Sequence, residues 1–195
     1  MASYELFKHS IERAEGGYQN LVNDKGNYNS KKERVGTNFG ISAKFYERVI
    51  GRPPSIQDMK AITLLDAHIL FKNEFWDKVR GDEIQNQGVA EMIADHAINA
   101  NPRVTIKIVQ HTLNNYFEKK LAIDGIMGIN TMKAINSINA EKLFIKIAQE
   151  RLEYYENLDD YKYFSKSWDS RVLALGKKFG VNIKKKRKLE CLLEL

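Results

Sequence analysis

The recurrence of apolar residues at helical spacing is what most limits the folds open to this chain. Apolar side chains return every three or four residues through most of its 195 positions, as in "YELFKHSIERA", and this period is typical of amphipathic helices with one buried face. The first helix is predicted to begin after Ser3 and to end at Glu15, before Gly16. Thr63 and Asp66 form a capping-box pattern. Further helices are predicted at 43–50, 67–76, 87–99, 102–117 and 140–158, so the chain should be mainly α-helical.

Two segments interrupt this helical period. Between Gly16 and Gly40 the apolar spacing disappears and Gly, Asn, Asp and Lys accumulate, which is typical of a loop. Extended stretches at 18–23 and 35–39 favour a small hairpin within it. The second break, "DGIMGINT" from Asp124 to Thr131, is predicted to be an ordinary turn whose carboxylate caps the next helix, in preference to a ligand-binding loop.

Composition limits where the protein can act and what it can bind. A hydrophobic content of 43% is enough for one domain or two small lobes, and no apolar stretch reaches membrane-span or signal-peptide length. We therefore expect synthesis in the cytoplasm and no stable membrane insertion. The net charge of +6 permits nucleic acid, anionic lipid or acidic wall polymers as partners. Nucleic acid is not expected, because basic residues do not alternate with aromatic ones.

Glu15 is a candidate catalytic acid on local grounds. A glutamate in the last turn of a helix feels the negative end of the helix dipole, and Phe7 and Ile11 share its face, so its protonated form is favoured. Gly16 and Gly17 remove side chains beside the carboxyl, which would let a bulky substrate approach. A neutral carboxylic acid beside an open cleft is what protonation of a glycosidic bond requires. From this pattern alone, however, a surface glutamate before a glycine C-cap is the favoured interpretation.

The order of several short motifs favours the catalytic interpretation. "EGGY" followed by "ND" and then "VGTNFGIS" resembles the N-terminal signature of the glycoside hydrolase family 108 muramidases, once described as secretion activator proteins. In that family the Glu of EGGY is the catalytic acid, which corresponds to Glu15. Four later segments are similar to further parts of the family and of its companion peptidoglycan-binding region, to about Val172: "FKNEFWDKVRGDEI", "IADHAINANPRVTIKIVQHTLN", "IDGIMGINTMKAI" and "YFSKSWDSRV".

The resemblance implies an α+β lysozyme-like fold, with a helical catalytic lobe, a small loop or hairpin region and a packed helical C-terminal lobe. We predict a muramidase domain at 1–94, a peptidoglycan-binding domain at 95–180 and a basic tail at 181–195. The implied reaction is hydrolysis of the β-1,4 bond between N-acetylmuramic acid and N-acetylglucosamine in peptidoglycan, after release by a holin or an export system. Glu15 would be the general acid, and Asp24 or Thr37 would position the attacking water or stabilise the oxocarbenium-like transition state. The residues predicted to contact sugar are Gly16, Gly17, Tyr18, Asn38 and Asp95.

Departures from the family pattern leave alternatives open. The segment "NDKGNYNSKKERVG" is longer and richer in lysine than the usual loop, so the second catalytic group is uncertain between Asp24 and Thr37. Asp24 lies nine residues after Glu15, the spacing found in phage-type lysozymes. A non-catalytic wall-binding or secretion-assisting protein would keep the fold without turnover, and a lytic transglycosylase would use the same acid.

Other candidate sites are weaker. The four histidines show no spacing that would supply metal ligands, and neither a metal nor a cofactor is expected. Trp76 and Trp168 could stack on sugars, but both fall in helical patterns where packing in the core is favoured. The single cysteine, Cys191, allows no intramolecular disulfide.

Overall fold

The structure is a computed structural model that describes residues 1–14 and 16–184, with the backbone alone described for residues 10–14. Glu15, Cys191 and most of the basic tail lie outside the described residues. Extended structure in the described part is limited to three isolated antiparallel bridges, which confirms the mainly α fold class. The helices are α1 (Tyr4–Ala14), α2 (Ala43–Ile50), α3 (Ile56–Ala61), α4 (Leu64–Phe71), α5 (Gln87–Ala100), α6 (Pro102–Phe117), α7 (Ile129–Ser137), α8 (Ala140–Glu156) and α9 (Tyr161–Lys178), with short 3-10 turns at Lys25–Asn27 and Gly81–Glu83 and a π-helical segment at Lys72–Trp76.

Local capping residues set where several of these helices begin. The predicted capping box of Thr63 and Asp66 is confirmed at the start of α4. Ser42 caps α2 by accepting a hydrogen bond from the Phe45 amide. The sequence analysis missed a second capping box, formed by Ser55 with Asp58 at the start of α3. These side chains satisfy amide groups that have no partner within their own helix.

The chain forms two compact units. The N-terminal unit comprises Tyr4–Glu74, and the C-terminal unit comprises Met1–Ser3 with Phe75–Leu195. The sequence analysis placed the division between 94 and 95, but α5 runs unbroken through that point and is buried from Gly88 to Ala97. The Asn-Pro signal after it marks the start of α6, which the Asn101 side chain caps, and so it separates two helices of one unit.

The N-terminal unit packs α1 to α4 around a small apolar core. Phe7, Ile41, Met59 and Phe71 are each at most 2% exposed. The Tyr4 hydroxyl donates a hydrogen bond of 2.8 Å to a carbonyl oxygen near the end of α4, which ties the first helix to the last. The segment between α1 and α2 carries no α-helix or strand and is fixed by polar contacts.

The C-terminal unit is built around α5, which packs against α6, α8 and α9. Trp76 is fully buried there, with its indole nitrogen donating to Asp82 at 2.9 Å, which confirms its predicted core position. Trp168 is different: it is partly exposed on α9. In the described part of the chain, no helix has both the length and the apolar character needed to cross a bilayer.

The turn at Asp124 is structural, as predicted, although its carboxylate does not cap α7. One oxygen of Asp124 accepts hydrogen bonds from the Ile126 amide and from Gln110, both at 2.8 Å. Gly128 stands at the N-cap of α7 without a side-chain cap. Residues 181–184, which we predicted to belong to the tail, pack on the unit instead: the Val181 amide donates to Gly176, and Ile183 is 8% exposed.

Two buried carboxylates on α5 hold the surrounding helices. The carboxylate of Asp95 forms ion pairs with Arg151 of α8 and, at 2.7 Å, with Arg171 of α9. One turn earlier, Glu91 is fully buried and pairs with Lys178 of α9 at 2.6 Å. Charges are buried in proteins only when they are paired in this way. The pairs therefore fix α8 and α9 against α5.

The protonation of the groups around Asp95 follows from these contacts. Burial opposes ionisation of Asp95, but the charges of Arg151 and Arg171 and their hydrogen bonds outweigh it and hold the pKa of the carboxyl below its usual value. Burial, followed by the charge of Arg151, holds the pKa of His96 well below 6.5. The folded protein thus contains an ionised Asp95 beside a neutral His96.

We expect Asp95→Asn to lower the free energy of unfolding at pH 7 by about 3–5 kcal/mol, because Arg151 would remain buried without its counter-charge. Since the folded pKa of Asp95 is depressed, its contribution exists above the ordinary value of 3.8 and is lost as pH falls through the folded pKa. The difference between variant and parent should therefore shrink below about pH 4. Urea unfolding at several pH values measures it.

Glu83→Gln is the matched control for this prediction. Glu83 pairs with Arg80 at the surface, with its side chain 49% exposed, and exposed pairs contribute little to stability. Equal destabilisation by the two substitutions at pH 7 would show that the Asp95 pairs do not anchor the unit.

Candidate active site

A backbone pairing organises the segment that follows α1. Gln19 and Thr37 exchange two hydrogen bonds of 2.9 Å, each amide donating to the other residue's carbonyl. The two residues come from the 18–23 and 35–39 stretches, so the predicted small hairpin is present as this isolated bridge. It brings Thr37 beside the chain that leaves Glu15.

The side chain of Gln19 ties the enclosed loop together. Its amide nitrogen donates to Asp24 Oδ2 at 2.7 Å, and its amide oxygen accepts from Asn27 Nδ2 at 3.0 Å. Asn27 is fully buried and also donates to the Leu21 carbonyl at 2.9 Å. The backbone carbonyl of Asn27 accepts hydrogen bonds from the amides of Val35 and Gly36. A loop with few apolar contacts is therefore held by amide side chains, and neither Gln19 nor Asn27 was identified from the sequence.

The carboxylate of Asp24 lies at the start of the Lys25–Asn27 turn and is partly exposed. Its Oδ1 accepts a hydrogen bond of 2.8 Å from the Gly26 amide, and its Oδ2 accepts the bond from Gln19. A carboxylate has about four lone-pair sites. Asp24 is thus oriented by two donors and can accept a further hydrogen bond from a water or a substrate hydroxyl.

The hydroxyl of Thr37 is buried and has no hydrogen-bond partner among the described residues. Such groups are rare in folded proteins because leaving them unpaired is costly. A side chain added at Gly26 would place its Cβ 3.1 Å from Asp24 Oδ1 and 3.6 Å from Thr37 Oγ1. The two candidate water-positioning groups therefore face the same backbone position.

Tyr18 lines the same loop and explains one of its glycines. Its ring lies across Gly36, where an added Cβ would come within 2.5 Å of the ring, and Gly36 has a φ of +94°. The Tyr18 hydroxyl donates to the Val35 carbonyl at 3.0 Å, and the Lys60 ammonium lies 5.2 Å from the ring centroid. Gly36 is thus needed both for its backbone angle and for the close ring.

Glu15 itself lies outside the described residues, so the structure gives no geometry for the predicted acid. The helix that precedes it, α1, ends at Ala14. Gly16 and Gly17 are exposed, and an added Cβ at either would meet no described atom within 4 Å. The surface on the C-terminal side of Glu15 is therefore open.

The other two predicted sugar contacts have structural roles. Asn38 is 4% exposed, and its amide nitrogen donates to the carbonyls of Met59 and Ile62 at 2.9 and 3.1 Å, which holds the turn before α2 against the end of α3. Asp95 belongs to the C-terminal unit, and both of its oxygens are bound by arginine side chains. Sugar contact at these two residues stays a prediction.

The reactive groups at the candidate site are mainly carboxylates and hydroxyls. Within the described residues, no group of three or more His, Cys, Asp or Glu side chains is placed to hold a metal ion. Gln19, Asp24 and Thr37 form a polar cluster, which we call the loop cluster. Its missed member, Gln19, could have been suspected from its place in the extended stretch directly after "EGGY".

Comparisons with known proteins relate the chain to one family and to one solved structure. Residues 9–100 match the family model described as Glycosyl hydrolase 108, a range that includes Glu15 and the whole loop cluster. A solved structure described as that of Brucella abortus SagA is 26% identical and superimposes with a TM-score of 0.77, covering 90% of this chain and 92% of that chain. A comparison with curated proteins found no match. Over residues 9–100 the chain thus resembles glycosyl hydrolase family 108, and over nine tenths of its length it resembles SagA. This likeness supports a glycoside hydrolase that acts on peptidoglycan.

Proposed function

We propose that this protein hydrolyses the β-1,4 bond between N-acetylmuramic acid and N-acetylglucosamine, with Glu15 as the general acid and the loop cluster as the group that holds the attacking water. The observation that carries the proposal is the Gln19–Thr37 bridge. It brings a carboxylate and an unpaired hydroxyl beside the chain that leaves Glu15.

Covalent geometry supports cooperation between Glu15 and the loop cluster. Gln19 lies four positions after Glu15, and an extended chain spans about 14 Å at most between the Cα atoms of two such residues. The two carboxyl groups of inverting glycosidases stand roughly 6.5–9.5 Å apart, which leaves room for a water. The chain is long enough for the carboxyl groups of Glu15 and Asp24 to stand at such a distance.

The two carboxyl groups have environments suited to different roles. Glu15 directly follows the C-terminal end of α1, where the helix dipole disfavours a negative charge and helps the acid to keep its proton. Asp24 accepts two hydrogen bonds from N–H donors, which hold its carboxylate in one orientation. A proton-donating acid and a second, oriented carboxyl group are the pair that glycoside hydrolysis uses.

Thr37 complements Asp24 in holding the water. A hydroxyl can donate one hydrogen bond and accept two, and that of Thr37 makes none with the described residues. A water bound between this hydroxyl and the Asp24 carboxylate would satisfy the Thr37 hydroxyl and direct a lone pair of the water away from Asp24. This role also accounts for a buried polar atom that packing leaves unpaired.

The first test is Glu15→Gln, which keeps the size of the side chain but removes the transferable proton. We expect the rate of wall clearing, measured as loss of turbidity of purified cell walls, to fall by roughly 100-fold or more. Folding and sedimentation with walls should persist. Glu5→Gln on the same helix is the control, since the Glu5 carboxyl is exposed. Near-full clearing by Glu15→Gln would refute the general-acid role.

The second test is Thr37→Val, which replaces the hydroxyl by a methyl of similar size. Because the hydroxyl has no described partner, the free energy of unfolding should change by about 0.5 kcal/mol or less. The rate should fall on the order of 10-fold to 100-fold, because the water loses its orientation. Stability is measured by urea unfolding and the rate by wall clearing.

Thr105→Val is the matched control for Thr37. Thr105 is 1% exposed, and its hydroxyl donates to the Asn101 carbonyl at 2.9 Å, so its loss should cost about 1 kcal/mol of stability with no change in rate per folded molecule. A Thr37→Val variant that clears walls as fast as the parent would remove Thr37 from the water site.

The third test identifies the reaction type. Hydrolysis adds one water to each cleaved bond, so mass spectrometry of the released fragments should show reducing ends. A lytic transglycosylase would use the muramic acid's own hydroxyl and leave 1,6-anhydro ends. If 1,6-anhydro products form and their formation depends on Glu15, Glu15 is still the acid, but the reaction is transglycosylation and not hydrolysis. Binding to walls with no fragments from any variant would favour the non-catalytic alternative.

A further inference from the structure

Lys60 is an exposed cation in the last turn of α3, within the N-terminal unit. Its ammonium group forms no ion pair with a carboxylate of the described residues. Asp58 of the same helix is already paired with Arg52 at 2.8 Å. Unpaired lysines are common at protein surfaces, so what sets Lys60 apart is its position.

The ammonium group of Lys60 lies against Tyr18, at the start of the candidate active site. The Nζ atom is 5.2 Å from the centroid of the Tyr18 ring, a distance at which the electron-rich face of the ring attracts a cation. The ring is itself fixed, because its hydroxyl donates to the Val35 carbonyl and its atoms fill the space beside Gly36. The ammonium group is therefore placed beside the segment that follows Glu15.

The backbone on both sides of Lys60 is also tied to this site. The side-chain nitrogen of Asn38 donates to the Met59 carbonyl at 2.9 Å and to the Ile62 carbonyl at 3.1 Å. Asn38 is 4% exposed and directly follows Thr37. The backbone of Lys60 and its ammonium group are thus both positioned by residues that adjoin the loop cluster.

We propose that Lys60 is a specificity-determining residue, which binds a carboxylate carried by the N-acetylmuramic acid units of the substrate. The inference rests on the proposed function, because it takes the glycan strand to lie along the loop cluster. The sugar rings and N-acetyl groups of that strand are uncharged. Its carboxylates stand on the muramic acid units, either on the lactyl group or on the peptide attached to it. A cation at this place therefore favours a wall strand over a neutral polymer of N-acetylglucosamine.

The contact with Tyr18 prepares the ammonium group for such a ligand. A free lysine side chain loses much rotamer freedom when it binds, whereas one already held over a ring loses less. The ring face accepts no conventional hydrogen bond, so N–H donors of the ammonium remain available for a carboxylate. A hydrogen bond between two charged groups is stronger than a neutral one.

Lys60→Met tests the role of the charge, because methionine can still pack on the ring. We expect KM for purified cell walls to rise by about threefold to tenfold, the effect of losing one partly exposed charged contact. The value of kcat should stay the same, because the carboxylate is bound equally in the ground state and in the transition state. Lys142→Met is the matched control: Lys142 is an exposed lysine of α8, and its loss changes the net charge by the same amount.

Walls whose carboxylates have been converted to neutral amides supply the second half of the test. Amidation should weaken binding by the parent and by Lys142→Met about three to ten times more than binding by Lys60→Met. Lys60→Arg keeps the charge and should respond as the parent does. If Lys60→Met is less stable in urea, the ratio between the two wall preparations is still valid, because the same protein binds both. Equal losses on amidation in all four proteins would overturn the inference, as would a KM of Lys60→Met equal to that of Lys142→Met.

The source of the carboxylate is identified with walls from which an amidase has removed the stem peptides, so that the lactyl carboxylate is free. A difference in KM between Lys60→Met and the parent that persists on these walls assigns the carboxylate to the lactyl group. A difference present on native walls and lost on stripped walls assigns it to the peptide.

Sedimentation in the Glu15→Gln background separates this inference from the catalytic proposal, since binding to native and amidated walls needs no cleavage. If Glu15→Gln clears walls at the parental rate, the general-acid role fails, and the response of Lys60→Met to amidation still decides the role of Lys60. If Lys60→Met and Lys142→Met respond equally to amidation while Glu15→Gln is inactive, the role of Lys60 fails and the catalytic proposal stands.

Discussion

The ion pairs of Asp95 with Arg151 and Arg171 are the contacts on which the C-terminal unit depends most. A carboxylate taken into the interior loses its hydration, and only well-placed counter-charges compensate for that loss. Here the counter-charges come from α8 and α9, so α5 is satisfied only when both helices are in place. Apolar packing tolerates a helix rotated by a few tens of degrees, whereas an arginine that must meet a buried carboxylate does not. The rotation of α9 about its own axis is thereby fixed.

The loop of the N-terminal unit is fixed by a different kind of contact. The loop from Gly16 to Gly40 has little apolar surface to bury, and its geometry follows from the side-chain amide groups of Gln19, Asn27 and Asn29. They bond to partners within the loop and, from Asn29, to the Pro54 carbonyl outside it. Such hydrogen bonds add little net stability, but each leaves a costly unpaired group if it is broken. The loop is therefore specified with little contribution from a core. The hydroxyl of Thr37, unpaired in the middle of this network, lowers the stability of the fold. Functional sites commonly contain groups that do so.

Local features of this fold could be predicted from the sequence, and non-local ones could not. The helices α1, α2, α5, α6 and α8, the capping box of Thr63 and Asp66, and the small pairing around 18–23 and 35–39 follow from spacing and from residues within one turn of each other. The shorter helices α3 and α7 were not predicted. The unit boundary did not follow, because an Asn-Pro step ends a helix whether the next helix belongs to the same unit or to another. The burial of Asp95 could not be deduced either, since Arg151 and Arg171 lie 56 and 76 residues away in the chain.

Trp168 shows the same limit on α9. Its helical pattern predicts burial, and one side of its ring does pack on Tyr155. Its other ring neighbours, Tyr161 and Phe164, lie on the same helix, and Phe164 is 48% exposed. Periodicity identifies the apolar face of a helix but not the length over which a partner covers it. Where the covered part ends, the remaining side chains of that face are partly exposed, as Phe164 is at 48%, although the sequence pattern continues unchanged.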